Sequence, residues 1–118
     1  MNSVVASLKS FVRALISQGK KVSVWGAGHR ALALMAISNL DEIDYVIDSA
    51  SFKQGKYTPI LKKKIVSPEQ FFSSLSCDCL IVMLPGALSD QVSQYLKSKD
   101  FRGKTVYFND NRIESEIC

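Results

Sequence analysis

The chain has 118 residues, a formal charge of +4 at pH 7, 47% hydrophobic residues and 22% charged residues. That length supplies one hydrophobic core and leaves no room for a nucleotide domain joined to a separate substrate domain. The composition is that of a folded globular chain, and no apolar run reaches the roughly 18 residues of a membrane helix. A single domain over residues 1–118 is therefore expected, in the cytoplasm and away from membranes. Lys9 and Arg13 interrupt the apolar N-terminal stretch, which argues against a signal peptide. The three cysteines, Cys77, Cys79 and Cys118, are an odd number and fit a reducing compartment.

In chain order, Ser3 to Gln18 has helical period, with Val5, Leu8, Val12, Leu15 and Ile16 on one stripe and Gly19 as a stop. Lys21 to Trp25 reads as a strand and Arg30 to Leu40 as a helix. Asp44 to Asp48 is a second strand, and Ser49 to Pro59 has no period and reads as loop. Lys64 to Val66 is a short strand or edge piece. Ser67-Pro68 marks a helix start, with Ser67 as N-cap and Pro68 at the first helical position. Cys79 to Leu84 is apolar without alternation, the pattern of a strand buried on both faces. Pro85-Gly86 ends it, and Ser89 or Asp90 is expected to cap a helix to about Ser98. Gly103 to Phe108 is the last expected strand, and Asn109 to Cys118 is a polar, weakly specified tail. Strands alternating with helices predict a three-layer α/β domain with an extra N-terminal helix. Its sheet is expected to be mostly parallel, with about four to five strands.

The central motif is Gly26-Ala27-Gly28-His29-Arg30-Ala31. It follows a strand, opens a helix and has the form G-x-G-x-x-A of a Rossmann unit. The first glycine permits the tight turn, the second admits a ligand to the backbone, and Ala31 lets helix and strand pack closely. Free N–H groups and the helix dipole favour an anion there. Asp48 follows Gly28 by about 20 positions, where a dinucleotide site carries its ribose-binding acid. Arg30 can pair with a phosphate or carboxylate. His29 at a helix start reads more simply as a solvated or capping group. Lys53, Gln54, Lys56 and Tyr57 follow the second strand, on the edge of the sheet where α/β folds bind ligands. The lysine-rich stretch Lys62-Lys63-Lys64 reads first as a solvated face, and nothing in it suggests nucleic acid. Cys77 and Cys79 with one distant histidine do not make a zinc site, and no catalytic group is indicated.

Several segments together carry a family resemblance: Val24-Trp-Gly-Ala-Gly28, Tyr45-Val-Ile-Asp48, Phe52-Lys-Gln-Gly-Lys-Tyr-Thr-Pro59, Ile65-Val-Ser-Pro-Glu69 and Asp78-Cys-Leu-Ile-Val-Met-Leu-Pro85. In order and spacing the chain resembles the C-terminal domain of the S-adenosylmethionine-dependent sugar C-methyltransferases. The resemblance implies a Rossmann-like accessory domain that helps shape a site for a nucleotide-linked sugar, in a stand-alone version. Methyl transfer would then be the work of another domain, and a separately encoded methyltransferase is an implied partner. It places Gly26, Gly28, Asp48, Lys53, Gln54, Lys56 and Tyr57 on the ligand edge. The sequence departs from the family pattern at His29-Arg30, at Ile60, where a glycine is usual, and at Pro85-Gly86. Two other readings stay open. One is an NAD(P)-binding redox or redox-sensing domain, and the other is a ligand-free interaction module. S-adenosylmethionine is a weaker candidate ligand for this chain, and a homo-oligomer is a further open possibility.

Overall fold

A computed structural model describes residues 3–84, 86–109 and 112–117. Helix α1 (Ser3–Ser17) precedes strand β1 (Val22–Trp25), helix α2 (His29–Ile37) and strands β2 (Val46–Ile47) and β3 (Ile65–Val66). Helix α3 (Pro68–Ser74), strand β4 (Cys79–Val82), helix α4 (Gly86–Ser98) and strands β5 (Lys104–Asn109) and β6 (Arg112–Ile117) follow. The sheet order is β3-β2-β1-β4-β5-β6. β1 to β5 pair in parallel, and β6 is antiparallel to β5. The α/β reading and the mostly parallel sheet are thus as the sequence implied. The antiparallel sixth strand, built from the tail, is an addition. β6 is an edge strand, and its backbone pairs with β5 whatever its side chains are.

The strands β1 and β4 are buried along their whole length. Each is covered on both faces, the pattern a parallel sheet requires. On one face Leu8 and Val12 of α1 and Ala31 and Met35 of α2 pack against Val22, Val24, Ile81 and Val106. On the other, Phe71 of α3 and Val92 and Leu96 of α4 pack against Trp25, Ile47, Leu80 and Val82. The two faces make the three-layer sandwich.

Local capping follows the residues. Ser67 Oγ accepts the Gln70 N–H at 3.0 Å, with Pro68 in the first turn of α3. The start of α4 differs from expectation: the helix begins at Gly86, and neither Ser89 nor Asp90 is its cap. Ser89 lies inside the helix and its hydroxyl donates back to the Leu84 carbonyl at 3.0 Å. Pro85, expected to end β4, lies outside the described residues, as do the side chains of Val5 and of residues 109–118.

The chain runs outward from β1 to β2 and β3, then returns to the opposite side of β1 with β4 and β5. This reversal opens a crevice beyond the carboxyl ends of β1 and β4, the place where open α/β sheets bind ligands.

Candidate functional site

The crevice is floored by the glycine turn. Gly26 has φ +131°, and a Cβ there would lie 2.6 Å from the Met83 carbonyl oxygen. Only glycine allows β1 to turn so close to the end of β4. Its N–H donates to the Ile47 carbonyl at 2.8 Å, and the Met83 N–H donates to the Trp25 carbonyl at 2.9 Å. Gly28 is different. It is the N-cap of α2 with φ −77° and ψ 170°, an ordinary extended conformation. A Cβ on Gly28 would meet nothing within 4 Å. Its missing side chain leaves open space in front of the first turn of α2.

The end of β2 is drawn onto this turn. Asp48 Oδ2 accepts the Ala27 N–H at 2.9 Å, and Oδ1 accepts the Ala50 N–H at 2.8 Å. Lys53 Nζ donates to the Ala27 carbonyl at 3.2 Å and lies 3.7 Å from Asp48 Oδ2. Gln54 Nε2 donates to the Asp48 carbonyl at 2.9 Å. Asp48, Lys53 and Gln54 therefore act as one clasp between the β2 loop and the glycine turn.

Above the turn lies a cavity of about 710 Å³, within the range of small-molecule sites. It brings together Gly28, His29, Arg30, Asp48 and Lys53 from the sequence-derived set. Gly26, Gln54, Lys56 and Tyr57 do not line it. Gly26 is packed beneath the turn and Gln54 braces Asp48. Lys56 and Tyr57 sit on a hairpin that the loop forms as it returns to β3, where Tyr57 bridges Lys64. Both are exposed, as are Lys62 and Lys64 at its far side.

The cavity is two-sided in chemistry. His29, Arg30 and Lys53 make a basic lip around the α2 N-terminus. The opposite wall is largely apolar, formed by Trp25, Leu84, Leu88, Val92 and Tyr95. Trp25 and Tyr95 meet edge to face with ring centroids 5.8 Å apart, and Phe72 lies 5.6 Å from Tyr95. Glu69, on the first turn of α3, lines the cavity beside them. Burial raises the Tyr95 phenol above its ordinary pKa, and the Glu69 carboxylate adds to the rise. The apolar wall escaped sequence reasoning because Trp25, Val92 and Tyr95 keep core periodicity. Only the sheet order shows that they end at the crevice. Glu69 had a usable signal, since it follows β3 at the same edge as Asp48.

Cys77 and Cys79 are not part of the cavity lining. Burial pushes the Cys77 thiol up to about 12 and the Cys79 thiol up to about 11. Neither has the lowered pKa of a nucleophile or metal ligand. Among the described residues, no three His, Cys, Asp or Glu side chains are grouped to hold a metal ion. Among them also, no helix is long and apolar enough to cross a membrane.

Comparison with known proteins gives the family of the chain. The family model of the C-methyltransferase C-terminal domain matches residues 1–108. The chain belongs to that family. It is similar to the C-methyltransferase NovU of Streptomyces niveus, with 38% identity over 69 residues, covering 57% of this chain and 16% of that protein. The chain thus matches a small part of the relative's length. In this C-methyltransferase C-terminal domain the glycine turn, the clasp and the β4 end all fall within the family match, and so does Ile60.

Proposed function

We propose that this domain binds a nucleotide-linked sugar in the crevice between β1 and β4 and presents it to a methyltransferase domain carried elsewhere. One observation supports this above the others: the 710 Å³ cavity joins a basic lip at an open helix N-terminus to an apolar, aromatic wall. Backbone N–H groups and the α2 dipole favour a diphosphate at the lip, with Arg30 and Lys53 adding charge. The aromatic wall supplies apolar surface for a base or a deoxygenated sugar ring. The role of the domain in this reading is to bind and orient, and methyl transfer belongs to the partner domain.

The engagement of Asp48 weighs against a dinucleotide or S-adenosylmethionine in the usual pose. Both carboxylate oxygens accept backbone N–H groups, where a ribose would need them turned outward. Isothermal titration of the pure protein with UDP-glucose, dTDP-glucose, NAD and S-adenosylmethionine tests the reading. Binding of the nucleotide-sugars alone is the expected result. Preference for NAD would replace this reading with a redox domain, and no binding by any would leave an interaction module.

A further inference from the structure

Among the described residues, two carboxylates line the cavity, Asp48 and Glu69, and they are placed differently. Asp48 is turned inward. Its side chain is 13% exposed, each oxygen accepts a backbone N–H, and the Lys53 ammonium stands 3.7 Å from Oδ2. A carboxylate can accept further bonds, but here each oxygen is already committed to the turn and Oδ2 also faces Lys53. Glu69 is exposed on the cavity wall. It follows β3, two strands from β1, so it enters the cavity from the β3 side of the glycine turn. A diphosphate seated at Gly28 would carry an attached ring toward that side.

We propose that Glu69, and not Asp48, is the carboxylate that reads the ligand's hydroxyl groups and so sets which sugar is accepted. This assignment rests on the nucleotide-diphosphate reading above. Asp48 keeps the fingerprint position but serves the turn. Glu69 supplies an acceptor pair in the same cavity lining as Tyr95. Vicinal hydroxyls, which donate two parallel hydrogen bonds, match such an acceptor. They can come from the pentose or from the attached hexose, and the chemistry is the same.

The test is a titration of wild type, Glu69→Gln and Asp48→Asn with three probes: UDP, 2′-deoxy-UDP and UDP-glucose. Glu69 is exposed, so Glu69→Gln should fold as wild type does. Losing the charged acceptor should weaken binding about tenfold for any probe whose hydroxyls it reads. A loss with UDP but not with 2′-deoxy-UDP assigns the pentose. A loss with UDP-glucose alone assigns the hexose. Asp48→Asn should lower the unfolding temperature and weaken all three probes alike. Wild-type binding that Glu69→Gln leaves unchanged overturns the Glu69 assignment and leaves the binding reading standing. A selective loss in Asp48→Asn also overturns it. Failure of wild type to bind any probe overturns the nucleotide-diphosphate reading and the Glu69 role with it.

Discussion

Asp48 Oδ2 accepts the Ala27 N–H at 2.9 Å, across 21 positions of chain. The bond fixes the glycine turn from the side, and Oδ1 repeats the device on Ala50. Hydrogen bonds to a charged acceptor are worth more than neutral ones, about 1.5–3 kcal/mol each. Asp48→Asn keeps the shape but places an NH2 group against one of two backbone donors. We expect it to cost about 2–3 kcal/mol of stability. Chemical denaturation should show the midpoint fall with an unchanged m-value. A variant as stable as wild type would show that the turn holds itself.

The two glycines of the turn should behave oppositely. At Gly26 a Cβ meets the Met83 carbonyl at 2.6 Å, with φ at +131°. Gly26→Ala therefore strains the backbone and pushes β1 from β4, and a loss of at least about 3 kcal/mol is expected. At Gly28 a Cβ meets nothing, and the backbone suits any residue. Gly28→Val should cost about 1 kcal/mol, the difference between a good and a poor N-cap, while its branched side chain blocks the cavity in front of α2. Thermal unfolding and nucleotide-sugar titration of both variants separate the roles. If Gly28→Val binds like wild type, the ligand does not approach that backbone.

Much of this architecture is legible in the residues. The unbroken apolar run of β4, the glycine turn and the Ser67 cap each have a local cause, and local causes can be read in order along the chain. What could not be read depends on neighbours in space. The carboxylate of Asp48 meets Ala27 only because β2 lies beside β1. Tyr95 and Trp25 share a cavity wall only because β4 returns to the far side of β1. Ser89 resembles a cap, which sets the expected start of α4 too late, whereas its hydroxyl satisfies the Leu84 carbonyl. β6 gave no signal because an edge strand can be held by β5's backbone and needs no apolar pattern.

Ile60 occupies a position whose backbone conformation suits glycine. Its φ is +65°, the left-handed region, which costs a β-branched residue about 1–2 kcal/mol. The hairpin holds it there. The Thr58 N–H donates to the Lys63 carbonyl at 2.7 Å, and the Lys63 N–H donates back to Thr58 Oγ1 at 2.9 Å. The side chain is 74% exposed, so little packing offsets the strain. Ile60→Gly relieves the strain but adds freedom to the unfolded chain, worth about 0.5–1 kcal/mol the other way. A net gain of about 0.5–1 kcal/mol is expected, seen as a rise of a few degrees in unfolding temperature. A fall would mean that the Ile60 side chain contributes packing that its exposure does not suggest.

The two described cysteines give the domain an alkaline limit. Burial raises Cys77 to about 12 and Cys79 to about 11, against 9.0 for an ordinary thiol. Below pH 9 both are protonated in folded and unfolded chains, and their full contribution to stability is present. From about pH 9 upward the unfolded thiols lose protons before the folded ones do. The unfolded state then binds fewer protons, and stability falls as pH rises. Denaturant titrations at pH 8, 9, 10 and 11 should show this decline, and Cys77→Ser,Cys79→Ala should flatten it. The same raised values keep the thiolate fraction small in the folded protein. At pH 8, iodoacetamide should therefore modify Cys77 and Cys79 much faster in unfolded than in native protein, as peptide mass spectrometry would show. Equal rates would mean that the end of the sheet near β4 opens readily, and that burial there does not hold the thiols.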